Sequence, residues 1–152
     1  DWSIVHCAIR NTRQKPAKPV LKHLFDRRHE FNLNIGNFLE LTLIIIFDET
    51  LETFEIVLEW ALESEFEISE VNSNGENILH LACRNVPEAA LFMFECSDEN
   101  KFGLDRKVLA SMAKTRNNYD ELPIDILKRR MFPKTRIEKL TSELEKYTES
   151  AL

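Results

Sequence analysis

The chain has 152 residues, of which 43% are hydrophobic and 30% are charged, and its formal net charge is −6. This composition indicates one compact domain with an apolar core and excludes a disordered tail, a collagen-like chain and a glycine-rich linker. No apolar run, that of residues 43–47 included, approaches the roughly 20 residues that span a membrane, so we expect no membrane partner.

The charges are unevenly distributed along the chain. Residues 1–34 carry 7 basic and 3 acidic groups, residues 35–100 carry 1 basic and 15 acidic groups, and residues 101–152 carry 12 basic and 8 acidic groups. An acidic middle between basic ends disfavours binding along a continuous phosphate backbone, so a nucleic-acid partner is the less favoured alternative. The pattern suits a binding surface with patches of opposite sign.

The cysteines and the start of the chain bear on the compartment. The 3 cysteines show no CxxC spacing, and no secretion signal opens the chain, which favours free thiols in an intracellular, cytoplasmic or nuclear protein. The first residue is not Met, so we expect the chain to be a fragment of a larger protein.

Several segments have the pattern of an amphipathic helix. In Leu51–Glu63 the apolar residues recur with the helical period and glutamates occupy the opposite face. The almost wholly apolar segment 38–47 also predicts a helix, with a buried strand as the alternative because it contains three consecutive isoleucines. The other predicted helices of this kind cover residues 18–27, 87–96 and 134–148.

A short pattern recurs along the chain. It is clearest at residues 72–84, NSNGENILHLACR, and residues 1–10 (DWSIVHCAIR) and 117–129 (NNYDELPIDILKR) align with it. A degraded copy lies near residues 37–44. Asp120 takes the position of Gly75 in this alignment; the position of His80 is taken by His6, Thr42 and Asp125, and that of Arg84 by Arg10 and Arg129.

Each clear copy carries the signals of a helix start. Ser3 and Asn77 are suitable N-caps, and a histidine follows each of them by three residues, where its ring nitrogen can complete a capping box. Pro123 suits the first helical position, where the missing N–H costs nothing. We therefore interpret His6 and His80 as structural residues.

The segment NSNGENILHLACRN resembles an ankyrin repeat, whose usual pattern is D-x-x-G-x-T-P-L-H-x-A-A, and LPIDIL resembles its TPLD variant. The resemblance implies a single all-α domain over residues 1–152, an ankyrin-type solenoid of helix-turn-helix repeats that stack on one another. The spacings of 36, 38 and 45 residues between successive histidine positions exceed the usual repeat of about 33, so we expect lengthened loops, chiefly an insertion at 97–114. The predicted units cover approximately residues 1–33, 34–71, 72–116 and 117–152.

No pattern in the chain predicts an enzyme. The 3 glycines cannot form a phosphate-binding loop, and the 4 histidines lack the spacing of metal ligands. Cys83 follows His80 by three residues, but we favour a packed thiol over a nucleophile. We expect no catalytic residue, no metal and no cofactor.

Ankyrin-like stacks usually bind partner proteins on the concave face that their turn tips and first helices form, so the resemblance implies a protein-interaction module. Arg10, Arg84 and Arg129 would form a column on this face, suited to an acidic or phosphorylated peptide; the alternative is that they bond to nearby turns or glutamates. A second alternative is a structural segment that packs against the rest of a multidomain enzyme or channel. The partner-binding positions implied are Trp2, Arg10, Asn11, Ser73, Asn74, Glu76, Arg84, Asn85, Tyr119, Arg129 and Arg130.

Overall fold

The computed structural model describes residues 18–30, 51–63 and 67–149. These ranges contain seven α-helices, one short 3₁₀ helix and no strand, so the described part of the protein is all-helical, as predicted. Within the same ranges no helix combines the length and the apolar character that crossing a bilayer requires.

The chain divides into two compact units, Asp1–Phe66 and Glu67–Leu152. The boundary lies close to the predicted junction between the second and third repeats. A single domain over the whole chain stays a prediction, and each unit is described below by itself.

In the first unit the described helices are α1, Lys18–Asp26, and α2, Leu51–Glu63, which pack against each other. The rings of Phe25 and Trp60 meet edge to face with centroids 5.8 Å apart. Arg28, just beyond α1, donates two hydrogen bonds to the Glu63 carboxylate at the end of α2, at 2.6 and 2.7 Å. Both predicted helices are thus confirmed, whereas the predicted elements at 1–10 and 34–47 lie outside the described residues.

The second unit is built from two helical hairpins and one inserted helix. The first hairpin, α3–α4, packs on the second, α6–α7, so that α3 contacts α6 and α4 contacts α7. The bounds are α3 Ile78–Asn85, α4 Pro87–Asp98, α5 Arg106–Ala113, α6 Pro123–Arg129 and α7 Lys134–Glu149, with the 3₁₀ helix at Lys101–Gly103.

The apolar faces of these helices form the core of the second unit. Each buried leucine or methionine side chain contributes about 1.5–3 kcal/mol relative to exposure in water. Because both hairpins supply such residues, neither could bury its apolar face alone. Fully or almost fully buried members are Leu79, Leu81, Met93, Leu109, Leu127, Leu140 and Leu144.

Helix α5 corrects the expectation of a lengthened loop at 97–114. The Asp105 side chain caps it by accepting a 2.8 Å hydrogen bond from the N–H of Lys107. Arg106, at the start of α5, donates to the Tyr147 hydroxyl at 2.7 Å and pairs with Asp98 and Glu143. The insertion is therefore a packed helix held between α4 and α7.

Candidate functional site

A compact turn precedes α3 and begins at Asn72. The Asn72 side-chain oxygen accepts hydrogen bonds from the backbone N–H groups of Asn74 and Glu76, at 2.9 and 3.0 Å. The Asn72 backbone N–H donates to the Glu76 carbonyl, and its carbonyl accepts from Gly75 N–H. Gly75 has a φ of +71°, a left-handed conformation that glycine adopts without steric cost.

The turn before α6 has the same hydrogen-bond pattern. The Asn117 side-chain oxygen accepts from the N–H groups of Tyr119 and Glu121, at 3.0 and 2.9 Å. The Asn117 N–H donates to the Glu121 carbonyl, and Asp120 has a φ of +62°. This geometry, repeated at a separation of 45 residues, agrees with the predicted alignment of Asp120 with Gly75.

The two turn tips lie side by side. The backbone N–H of Asn118 donates to the Asn74 carbonyl at 2.9 Å, and the Asn118 side-chain amide donates to the Ser73 carbonyl at 2.9 Å. A methyl group in place of the Gly75 hydrogen would lie 2.7 Å from the Asn118 side-chain oxygen. The close approach of the tips therefore favours glycine at this position, because any larger residue would displace the Asn118 side chain.

His80 completes the cap of α3 and joins the two hairpins. The Asn77 side-chain oxygen accepts from the N–H groups of Leu79 and His80, and His80 Nδ1 accepts from the Asn77 N–H at 3.1 Å. We assign the ring proton to Nε2, which donates to the Glu121 carbonyl at 3.1 Å. Burial lowers the pKa of His80, although the bond to Glu121 opposes this, so the ring serves as a neutral structural group, as predicted.

The first helix of the second hairpin starts in a related way. The Asp125 carboxylate accepts a 2.8 Å hydrogen bond from the Leu122 N–H, the bond that His80 makes in α3. Pro123 occupies the first helical position, as predicted. Asp125 is therefore the capping equivalent of His80, although it makes no described link to a following turn.

The arginines of the predicted column bind to glutamates of their own turns. Arg84, at the end of α3, donates from both terminal nitrogens to the Glu76 carboxylate, whose residue is only 1% exposed. Arg129, at the end of α6, pairs with Glu121 at 3.0 Å. Burial raises the pKa of the Glu76 carboxyl, but the hydrogen bond and charge of Arg84 outweigh it and hold that pKa below its usual value.

These pairs change the roles of three predicted binding residues. Glu76 was expected at a partner-facing tip, but its burial leaves it no access to a partner, because its carboxylate is needed to bind Arg84. Arg84 and Arg129 tie the end of each helix to the preceding turn, which is the alternative that the sequence left open. Two-pronged pairing of this kind fixes geometry as well as charge.

The other predicted residues of the second unit are near the same surface. Ser73, Asn74 and Tyr119 are exposed at the tips, and Tyr119 is 69% exposed. Asn85 bonds through its side chain to the Leu81 carbonyl. Arg130 donates to the Arg84 carbonyl at 3.0 Å, so the structure brings Arg84 and Arg130 together. Trp2, Arg10 and Asn11 lie outside the described residues.

Within residues 18–30, 51–63 and 67–149, no three His, Cys, Asp or Glu side chains lie close enough to hold a metal ion. Burial raises the pKa of the Cys83 thiol, which disfavours the reactive thiolate. Cys83 and Cys96 are both buried and free of disulfide bonds.

No family model, no curated protein and no solved structure matches the chain.

Proposed function

We propose that the chain is a protein-interaction module built from ankyrin-type helical repeats, and that it binds a partner protein through its turn tips and first helices. The observation that carries the proposal is the matched pair of turns at 72–76 and 117–121. Both have the same side-chain and backbone hydrogen bonds, and they are bonded to each other through Asn118.

The rigidity of the tips supports a binding role. Their backbone is fixed by the side chains of Asn72 and Asn117, so a partner that binds there orders few additional groups. Tyr119 presents an exposed aromatic side chain on this fixed turn. Tyrosine combines a large apolar surface with a polar hydroxyl, and it is common among the residues that dominate protein interfaces.

Arg84 and Arg129 are less available to a partner than the sequence suggested. Because Glu76 and Glu121 already neutralise Arg84 and Arg129, an acidic or phosphorylated partner segment would compete with carboxylates of the protein itself. We therefore propose that the tips carry the recognition and that these arginines stabilise the turns that present them.

Site-specific cross-linking in the cells that make the protein tests this proposal. A photoreactive phenylalanine analogue replaces Tyr119 at the tip or, as the matched control, Lys139, which is exposed on α7. We expect a discrete cross-linked partner from the tip position and none from Lys139. Tyr119→Ala should abolish partner capture by the full chain while its melting temperature stays unchanged.

The same experiment separates the rival functions. Cross-links within the parent protein alone would favour a structural segment that packs against neighbouring domains. Cross-links to nucleic acid, with binding to random RNA or DNA that falls steeply with salt, would favour nucleic-acid binding. Equal cross-linking from Tyr119 and Lys139 would contradict the proposed face.

A further inference from the structure

The corner between α6 and α7 differs from the corresponding corner of the preceding hairpin. At the 45-residue separation of the two turns, Met131 corresponds to Val86, which joins α3 to α4. Val86 is only 7% exposed, whereas Met131 is 88% exposed. The corner side chain of the α3–α4 hairpin is therefore buried, whereas that of the α6–α7 hairpin is a large apolar group exposed to solvent.

The backbone at Met131 is strained in the conformation that exposes the side chain. Met131 has a φ of +55°, in the left-handed region that costs an L-residue with a Cβ about 1–2 kcal/mol. Glycine at this corner would avoid that cost. The strained backbone holds the apolar Met131 side chain in the solvent, where a partner can contact it without a rearrangement of the turn.

The residues on either side add positive charge to this corner. Two guanidinium groups lie near the Phe132 ring, with the Cζ atoms of Arg130 and Arg136 at 5.7 and 4.8 Å from its centroid. These contacts keep the half-buried ring beside the arginines, and Phe132 directly follows Met131 in the chain.

Residues 128–137 carry five basic groups and no acidic one. Three of the five are neutralised by carboxylates elsewhere: Lys128 by Glu145, Arg129 by Glu121 and Arg136 by Glu88. Arg130 and Lys134 have no carboxylate partner among the described residues, and Arg130 donates instead to the Arg84 carbonyl. The charge of Arg130, which lies beside Arg84 of the predicted column, is therefore open to a carboxylate from outside.

From these observations we infer that the α6–α7 corner, residues 130–133, is a second docking point, which takes an acidic protein segment that also carries an apolar side chain. A carboxylate of that segment binds the Arg130 guanidinium, and the neighbouring apolar side chain packs on Met131 and Phe132. The inference rests on the proposed function only in that the chain binds proteins. The corner and the turn tip lie at opposite ends of α6, about 10 Å apart for a seven-residue helix.

Peptide binding to the full chain tests the corner directly. The probes are three labelled 12-residue peptides, with the repeats Asp-Asp-Leu, Asn-Asn-Leu and Asp-Asp-Ser, followed by fluorescence anisotropy. We expect the first peptide to bind at least about fivefold more tightly than either of the others, because each of these lacks one of the two contacts. Equal affinity for the three peptides, or no binding of the first, overturns the inference.

Two variants and a matched control locate the site. Arg130→Gln should weaken binding of the Asp-Asp-Leu peptide by about fivefold or more, whereas Arg129→Gln, whose guanidinium is already paired, should change it by less than about twofold. Met131→Gly should weaken binding to a similar extent while the melting temperature stays the same or rises, because glycine relieves the strain at φ +55°. Equal effects of the two arginine variants contradict the assignment.

The remaining outcomes separate this inference from the proposed function and from other ligands. Tyr119→Ala should leave peptide binding at the corner intact. If cross-linking from the tip fails while the peptide still binds, the proposed function is contradicted and this inference is not. A random RNA oligonucleotide or an anionic vesicle that binds through Arg130 more tightly than the acidic peptide would overturn the inference in favour of a phosphate ligand.

Discussion

The ion pair of Glu76 and Arg84 is more deeply buried than its equivalent in the next turn, so we expect the two pairs to differ in their contribution to stability. The Glu76 side chain is 2% exposed and the Arg84 side chain 32% exposed. The equivalent pair, Glu121 and Arg129, is more open, with exposed side-chain fractions of 23% and 58%. A buried carboxylate without a partner is costly, whereas an exposed pair contributes little.

We therefore predict that Arg84→Gln lowers the free energy of unfolding by about 1–3 kcal/mol, because it leaves the Glu76 carboxylate buried without its counter-charge. The matched change Arg129→Gln should cost less than about 1 kcal/mol. Urea denaturation measures both. Similar losses in the two variants would show that burial of Glu76 does not govern the pair.

His80 gives the protein a pH dependence that can be assigned to one side chain. Burial lowers the pKa of the folded-state imidazole below its ordinary value of 6.5. Below that pH the unfolded chain binds a proton that the folded protein does not, so the stability contributed by neutral His80 is complete above pH 6.5 and declines as the pH falls towards the folded pKa.

His80→Gln keeps an acceptor for Asn77 N–H and a donor for the Glu121 carbonyl but does not titrate. We predict that the wild type loses more unfolding free energy than this variant between about pH 7 and about pH 5, measured by urea denaturation at each pH. Parallel pH profiles of the two proteins would exclude His80 as the source. Glu76, whose pKa is lowered, acts in a more acidic range and is common to both.

At the scale of the elements, the two turns depend on the close approach of their tips. Gly75 and Gly103 have almost the same φ, +71° and +70°. An added methyl group would lie 2.7 Å from the Asn118 side-chain oxygen at position 75 but would meet nothing within 4 Å at position 103. A comparison of substitutions at Gly75 and Gly103 therefore distinguishes the cost of backbone strain from the cost of a steric clash.

Both Gly75→Ala and Gly103→Ala should lose about 1 kcal/mol to the left-handed backbone. We predict that Gly75→Ala costs about a further 1 kcal/mol or more, because Asn118 has to move and its bonds to the neighbouring tip weaken. Thermal unfolding measures the difference, and faster amide exchange at Asn118 in the Gly75 variant alone would locate it. Equal destabilisation would mean that the tips separate freely.

The last hairpin carries a cavity at positions whose counterparts in the first hairpin are mostly buried. The cavity has a volume of about 360 Å³ and is lined by Lys128, Lys134, Ile137, Glu138, Thr141 and Ser142. Their counterparts 45 residues earlier, apart from the half-buried Phe92, are buried, and most of them are apolar: Cys83, Ala89, Phe92, Met93, Cys96 and Ser97. The polar residues that line the cavity make this face of the last hairpin more compatible with water than the corresponding face of the preceding hairpin.

At the scale of the whole molecule, the division at Phe66 and Glu67 makes independent folding testable. Helices α3 to α7 contain a shared apolar core, so we predict that the fragment 67–152 is helical and unfolds cooperatively, as judged by circular dichroism in urea. A fragment that starts at residue 87 lacks α3, including the fully buried Ile78 and Leu79, and should lose that cooperativity. An unfolded 67–152 fragment would show that the second unit needs the first.

The sequence by itself determined the local structure of this protein. The helical period predicted α1, α2, α4 and α7 to within two residues at each end, and capping residues predicted the starts of α3 and α6. The alignment of His80 with Asp125 identified two related helix starts, because capping and turn formation depend on residues only a few positions apart.

Only the tertiary structure decided which side chains are buried and which charged groups are paired. Helix α5 was missed because only three of its eight residues are buried, and its pattern becomes clear only against α4 and α7. The arginines looked alike in the sequence, but Glu76 and Glu121 neutralise two of them and leave Arg130 available. Pairing and exposure depend on which distant groups the packed helices bring within reach, and local spacing does not encode that.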